Sequence, residues 1–486
     1  MLQKIRSNSS ALVLAAAFLI LAVSLAQALI LFARHASAAI TFPYPLEYAE
    51  GPVLDQTLRL VDGENIYRTS LATPPYTITN DPPLYMLLQV PFARAFGPAY
   101  WYGRVISLFS LVLAALFLGL TLYELTKDVP AALVAGLLLF TVPYFFNWSV
   151  LNRVDTLAFA LSWIGLFLVV RLPDRLWGVL LAALFFTAAA FTQPAYCFAA
   201  PAAALAWFIQ ARRFRQSAVL LAGTAGLILV LFLAVNAVTQ GGFYFSLITA
   251  STTSWFFQDV FGALLAIFIH GFLFILFALF FFLLERMDNP TQSWPFVLAY
   301  FVSAFVISAA VGKQIASDRF LFEFAAACCL TAGAAMAWIR NHWVKTAFLV
   351  LLVFQINSLV LWTNSDFLPI FADKIANKTE ISKLASLIQN TDGPVLVDEY
   401  NGLIPLAGRR LYYQPVEYVA FIYIGLAEIS PLEKDISDHQ IRLVMVYFPR
   451  DASVTLSRWP PDIYSLITAY YRVTDTLAST LIFSPK

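Results

Sequence analysis

Charge is what this sequence has least of. Only 12% of its 486 residues are Asp, Glu, Lys or Arg, against about 25% in ordinary water-soluble domains. The formal net charge is +1, so no strong field draws the chain toward nucleic acid. Its three cysteines, Cys197, Cys328 and Cys329, all stand in apolar runs, and two are adjacent. Neither a disulfide framework nor a thiolate metal site fits that spacing. The four histidines are scattered, which leaves no cluster for zinc; His270, alone in an apolar run, reads as a packed or pore-facing side chain. No GxGxxG pattern and no phosphate-binding glycine loop occurs, so nucleotide binding is not indicated.

In place of charge there is hydrophobic sequence, 60% of the chain, with a mean hydropathy of +0.75. Such a composition predicts a polytopic membrane protein. Lys4 and Arg6 precede an uninterrupted apolar run over residues 11–33, and about 20 residues suffice to span a bilayer. Ala36-Ser37-Ala38 resembles a signal-peptidase site. The run is longer than a signal peptide's and is followed by Arg34 and His35, so an uncleaved first helix is the reading and cleavage the alternative. Further runs predict helices near 101–124, 130–146, 156–172, 177–192, 195–210, 217–238, 260–284, 294–312, 320–339 and 345–363, about 11 spans in all. Residues 84–97 are apolar but short and broken by Pro91 and Arg94, which suits a re-entrant or interfacial helix.

The cationic residues orient the bundle. With the N-terminus inside, the densest basic cluster, Arg212, Arg213 and Arg215, also lies inside, as the positive-inside rule asks. Residues 34–100, 147–155, 239–259, 313–319 and all those after 364 then lie outside. The fold class expected is mainly α: a transmembrane bundle over 1–364 with a long first outer loop, and a small exported α/β domain over 365–486. In that domain the runs 394–400, 442–448 and 480–486 read as strands, and 374–389 and 460–470 as helices.

Chemistry is expected in the first outer loop. Nine of the chain's 25 prolines fall between Phe42 and Pro98, and residues 42–85 carry Glu47, Glu50, Asp55, Asp62, Glu64 and Asp81. Pro52 and Gly63 bracket a helix over 52–62, apolar on one face and charged on the other, which is expected to lie along the membrane. Glu50 falls just before it. It reads either as a general base favoured by the helix dipole or as a charge that merely caps the helix. Arg104, Arg153, Asp155, Lys313, Asp318 and Arg319 fall at the outer ends of spans, where ionisable groups default to a functional hypothesis. The bland alternatives are snorkelling for Arg104, a structural pair for Arg153 with Asp155, and an i,i+4 pair of Arg319 with Glu323. Two carboxylates without histidine can hold Mg²⁺ or Mn²⁺, and nothing in the sequence demands it. The aromatic and hydroxyl residues of 239–258 read as an interfacial belt, with a wall for sugars as the alternative.

The order of these pieces resembles the GT-C superfamily of membrane glycosyltransferases, and most of all the bacterial relatives of protein O-mannosyltransferases and lipid A aminoarabinose transferases. The resemblance rests on Tyr48-Ala49-Glu50-Gly51, Leu60-Val61-Asp62-Gly63, Asp81-Pro82-Pro83-Leu84-Tyr85 and Arg104. Ala49 stands where many relatives carry Asp, and Asp81 where some carry Lys. The resemblance implies transfer of a sugar from a polyprenyl-phosphate donor to a lipid, glycan or protein acceptor at the outer face of the cell membrane, with inversion. Glu50, with Glu47 as the alternative, would be the base and Asp155 an assisting carboxylate. Arg104, Arg153, Lys313 and Arg319 would bind the donor phosphate, and Tyr48, Asp81 and Tyr85 the substrate. The competing readings are a transporter or lipid flippase and a non-catalytic assembly subunit. Against the first, no internal repeat or pair of broken mid-membrane helices is visible; the second leaves the acidic loop unexplained.

Overall fold

The computed structural model describes residues 2–287, 293–314, 317–448 and 458–486. The chain opens with α1 (Leu2–Thr41), then α2 (Glu50–Val61), α3 (Leu84–Phe96) and α4 (Trp101–Thr126). Helices α5 (Val129–Leu138), α6 (Pro143–Trp148), α7 (Asp155–Arg171), α8 (Leu176–Ala190) and α9 (Ala199–Gln210) follow. After these come α10 (Phe214–Val238), the single turn α11 (Gly242–Tyr244), α12 (Phe257–Met287), α13 (Ser293–Ser308), α14 (Phe322–Trp338) and α15 (His342–Trp362).

All eleven apolar runs of the sequence are helical, but they differ in length. Among the described residues, 7 helical stretches are long and apolar enough to cross a membrane: Ser10–Thr41, Trp101–Thr126, Phe214–Val238, Phe257–Leu283, Ser293–Gly312, Asp318–Trp338 and His342–Ala376. The remaining runs are shorter or broken. Pro143 has no N–H to donate and disfavours a helical residue before it; Val142 is accordingly extended, at ψ 125°, and splits 130–146 into α5 and α6. Small residues let the central helices touch. A Cβ on Gly136 would meet the Ala115 carbonyl oxygen at 2.5 Å, and one on Gly333 the Ala135 Cβ at 2.7 Å. Close backbone approach of this kind drives packing where lipid removes the hydrophobic incentive.

After α15, α16 (Leu368–Ala376) and α17 (Lys378–Gln389) lead into a four-stranded sheet. Its strands are β1 (Val395–Val397), β2 (Leu443–Tyr447), β3 (Tyr471–Leu477) and β4 (Thr480–Pro485), in the order β1-β2-β4-β3. The β1–β2 pair is parallel and the others antiparallel, with Val444 opposite Phe483. Strand β3, rich in polar residues, was not expected from the sequence. Alternation along the strands divides the apolar side chains between two cores. Val395, Val397, Leu443, Met445 and Ile482 join the core of the helix bundle itself. Leu396, Val444, Val446 and Phe483 join a second core with Trp459 and Ile463, which also takes in Leu71, Tyr76 and Ile78 of the first loop. The C-terminal region is therefore continuous with the bundle through one core and with the first loop through the other.

Helix α2 departs from expectation. Every residue from Glu50 to Leu58 is buried, so the helix is not laid on a membrane with its charged face in water. Its Asp55–Arg59 pair, at 2.7 Å, is covered by the C-terminal region, whose Leu411 N–H donates to Asp55 at 2.9 Å. Gly63, at φ +75°, ends the helix in a conformation that favours glycine.

Candidate active site

The carboxylate singled out first by the sequence is sealed inside the protein. Glu50 is wholly buried. Its oxygens receive Arg104 Nε and Nη2, each at 2.8 Å, and the backbone N–H groups of Leu46 at 2.7 Å and Asn152 at 2.8 Å. The Arg104 guanidinium and these N–H groups outweigh the cost of burial and hold the carboxyl below its ordinary range. Arg104 spends its other donors on the carbonyls of Ala39, Phe42 and Tyr44. Neither side chain has capacity left for substrate, which corrects the sequence expectation of a base at Glu50 and a phosphate ligand at Arg104. The pair instead ties together the end of α1, the first loop, α4 and the turn before α7. Tyr85 is corrected for the same reason: it is buried, with its hydroxyl against the Gly103 carbonyl and Ser107 Oγ, each at 2.8 Å.

Next to this hub the expected outer loops do converge, around two adjoining cavities. One, of about 220 Å³, is polar and lined by Glu47, Tyr48, Arg153, Arg319, Glu417 and Arg458 among others. The second, of about 470 Å³, is a mainly apolar groove walled by Phe198, Leu247, Val306 and Ile307, with Lys313 and Arg319 along it. Asn80, Asp81 and Arg319 line both. A polar chamber and an apolar groove thus meet at a cation and a carboxylate.

Glu47 is one of three carboxylates lining the chamber, with Asp81 and Glu417. Its Oε2 takes the Ala49 N–H and Arg153 Nη1, each at 2.9 Å, and Oε1 has no hydrogen-bond partner among the described residues. Arg153 also donates from Nε to Asp155 at 3.2 Å and stacks on the Trp148 ring at 4.9 Å. Asp155 lines neither cavity. It is buried, and its Oδ2 braces Arg153 and, at 3.5 Å, Arg319. It thus orients the two arginines from behind the cavity walls. Arg319 does not pair with Glu323, which accepts from the Tyr300 hydroxyl instead. Lys313 is exposed beside the groove, where its Nζ reaches the Ser251 carbonyl at 3.4 Å. Asp81 accepts from Gln193 at 3.0 Å, and burial pushes its carboxyl up to about 6.

The C-terminal region completes the chamber, and the sequence carried no signal for this. Tyr48 donates to Glu417 at 2.6 Å, and its ring lies 5.5 Å from the Arg458 guanidinium. Lys374 reaches the Leu46 carbonyl at 2.8 Å and pairs with Glu399. Gly51 and Gly402 touch backbone to backbone; a Cβ on Gly51 would stand 2.7 Å from the Gly402 Cα. Glu417 sits in an amphipathic helix, Pro415–Tyr423, where a lone acidic residue resembles any solvated charge. Gln193, Ser317, Gln414 and Arg458 were likewise not anticipated. No three His, Cys, Asp or Glu side chains gather to hold a metal ion among the described residues. Glu47 Oε1 and Asp155 Oδ1 have no hydrogen-bond partner among the described residues, while the other oxygen of each is held by Arg153.

This architecture has known counterparts. The chain superposes on ArnT from Cupriavidus metallidurans in the apo state with a TM-score of 0.61, over 94% of this chain and 97% of that one, at 14% identity. The undecaprenyl-phosphate-bound form of the same protein matches over the same shares with a TM-score of 0.61 and 13% identity. The oligosaccharyltransferase AglB from Archaeoglobus fulgidus, in complex with an inhibitory peptide and a dolichol-phosphate, matches with a TM-score of 0.53 and 13% identity, over 95% of this chain and 74% of that one. ArnT, a lipid A aminoarabinose transferase, and AglB are both membrane glycosyltransferases of the GT-C superfamily. The chain has the GT-C fold. No protein-family model and no curated protein matches it in sequence, so the likeness is one of fold. Ala49 lines the chamber, and the carboxylate held beside it, on its own N–H, is that of Glu47.

Proposed function

We propose that the protein is an integral membrane glycosyltransferase that moves a sugar from a polyprenyl-phosphate carrier to an acceptor hydroxyl. The observation that carries this reading is the junction of the two cavities: an apolar groove with Lys313 and Arg319 along it, opening at Arg319 and Asp81 into a chamber with the free carboxylate oxygen of Glu47. The groove suits an isoprenoid chain, and the cations suit a phosphate. The GT-C fold, shared with proteins whose structures hold undecaprenyl phosphate and dolichol-phosphate, supports the same donor class.

In this reading the acceptor hydroxyl enters the chamber and its oxygen attacks the anomeric carbon of the bound sugar. The bond from that carbon to the carrier phosphate oxygen breaks as the new glycosidic bond forms, with inversion. Glu47 takes the hydroxyl proton as general base. Arg319 and Lys313 stabilise the charge that gathers on the departing polyprenyl phosphate. Arg153, held by Asp155, positions Glu47. The cavity end of the bundle faces away from the cytosol, because the positive-inside pattern puts the basic loops on the opposite side.

The test is transfer of radiolabelled sugar from a panel of polyprenyl-phosphate sugars by the purified protein, together with a cytosol-only fluorescent reporter fused after Lys486. Labelled product and a silent reporter are expected. Carrier transport without product would make the chain a flippase, and a bright reporter would invert the orientation.

A further inference from the structure

The polar chamber is lined by buried donors that have no partner among the described residues. Arg319 Nε, Ser317 Oγ and Arg458 Nη1 are buried with no hydrogen-bond partner among the described residues, and all three residues line this chamber. Buried donors are normally paired, because leaving one unpaired forfeits its hydration with no return. Arg319 faces the groove as well as the chamber, so a carrier phosphate there accounts for it. Arg458 does not line the groove. It belongs to the C-terminal wall, with Gln414, Val416 and Glu417.

Arg458 is held through one side of its guanidinium, and its Nη1 is left without a partner among the described residues. Its Nη2 pairs with Glu399 at 2.6 Å, and its guanidinium lies over the rings of Tyr48 at 5.5 Å and Tyr447 at 6.0 Å. Glu399 is shared, because Lys374 pairs with its other oxygen, and the charge of Asp398 also acts on Arg458. The carboxylates nearer the chamber are engaged elsewhere: Glu47 with Arg153, Glu417 with the Tyr48 hydroxyl. Asp398, behind Arg458, accepts from Trp459 and the Tyr447 backbone.

We infer that Arg458 is the ligand of a second anionic group, a carboxylate or phosphate carried by the acceptor or by the transferred sugar, at a subsite separate from the carrier phosphate. The assignment of that group to a substrate rests on the glycosyltransferase reading; the anion subsite itself does not.

The test uses the full-length protein in lipid nanodiscs, saturated with undecaprenyl phosphate, and titrates inorganic phosphate and glucuronate as probes. The parent is expected to bind at least one of them. Arg458→Gln should weaken that binding about tenfold or more, the loss of a charge-assisted hydrogen bond, and Arg458→Lys should restore part of it. Undecaprenyl phosphate affinity should stay unchanged in both variants, which also shows that they fold. Preference for phosphate assigns the group to a phosphorylated substrate, and preference for glucuronate to a sugar acid. The inference is overturned if neither probe binds beside the saturating lipid, or if both variants bind the probes as the parent does. A protein that ignores undecaprenyl phosphate yet binds a probe through Arg458 would sink the carrier reading and keep this one.

Discussion

Glu50 and Arg104 form a bidentate ion pair, Nε to Oε1 and Nη2 to Oε2 each at 2.8 Å, with both side chains fully buried. Their remaining hydrogen-bonding capacity goes to the backbone of α1, the first loop and the turn before α7. A carboxylate in this state holds the loop in shape, and the neighbouring Glu47 is left to line the chamber.

Replacing Glu50 by Gln should therefore damage the fold before the chemistry. It leaves the Arg104 charge buried without its counter-ion, at a cost of about 3–5 kcal/mol. Thermal unfolding of the purified protein should show a large drop, while turnover per folded molecule stays within a few-fold of the parent. An intact melting profile with abolished turnover would return Glu50 to the chemistry.

Glu47→Gln should do the opposite. The amide keeps the size of the side chain and can still accept from Arg153 and Ala49, but it takes no proton at neutral pH. Turnover should fall about 10²- to 10⁴-fold, with donor affinity and melting temperature nearly unchanged. Full activity would remove the first loop from proton transfer.

Asp81 should make stability depend on pH. Its folded carboxyl, pushed up by burial, titrates near 6, above the ordinary value of 3.8. The neutral form is the one the fold prefers, so the stability it contributes is complete below about 4 and is lost as pH rises through about 6. Asp81→Asn should match the parent at pH 4 and gain on it by up to about 3 kcal/mol at pH 7. Chemical unfolding across this range checks it, and parallel curves for the two proteins would contradict it.

Gly51→Ala should loosen the C-terminal region. The new methyl would meet the Gly402 backbone at 2.7 Å, and backbone cannot move aside as a flexible side chain can. A loss of roughly 1–3 kcal/mol is expected, with faster proteolytic cleavage after Ala376. Gly226→Ala in α10, where nothing lies within 4 Å, should be neutral or slightly stabilising by comparison.

Much of this protein was legible in its sequence because membrane helices announce themselves through long apolar runs. The helical runs, the short α3, the helix around Pro52 and three of the four strands all follow from local pattern. Strand β3 was hidden because its residues, from Tyr471 to Leu477, are largely exposed and polar, and pairing with β4 makes it a strand. The gathering of Glu47, Asp81, Arg153, Lys313 and Arg319 around two cavities was also foreseeable, since charges at one end of a bundle have few places to go.

What local pattern could not decide was which carboxylate is free. Glu47 and Glu50 lie three residues apart in similar sequence, and no local rule separates them. The difference comes from Arg104, 54 residues beyond Glu50, which takes Glu50 as its counter-ion and so leaves Glu47 to Arg153. The C-terminal wall arises in the same way. Glu417 and Arg458 reach the chamber through contacts between distant segments, such as that of Glu417 with Tyr48, 369 residues away, and those of Arg458 with Tyr48 and Glu399. Hydrophobic runs are local and determine the helices. Ion pairing and burial are settled between distant segments, so only the tertiary structure assigns each charge to holding the fold or to facing a substrate.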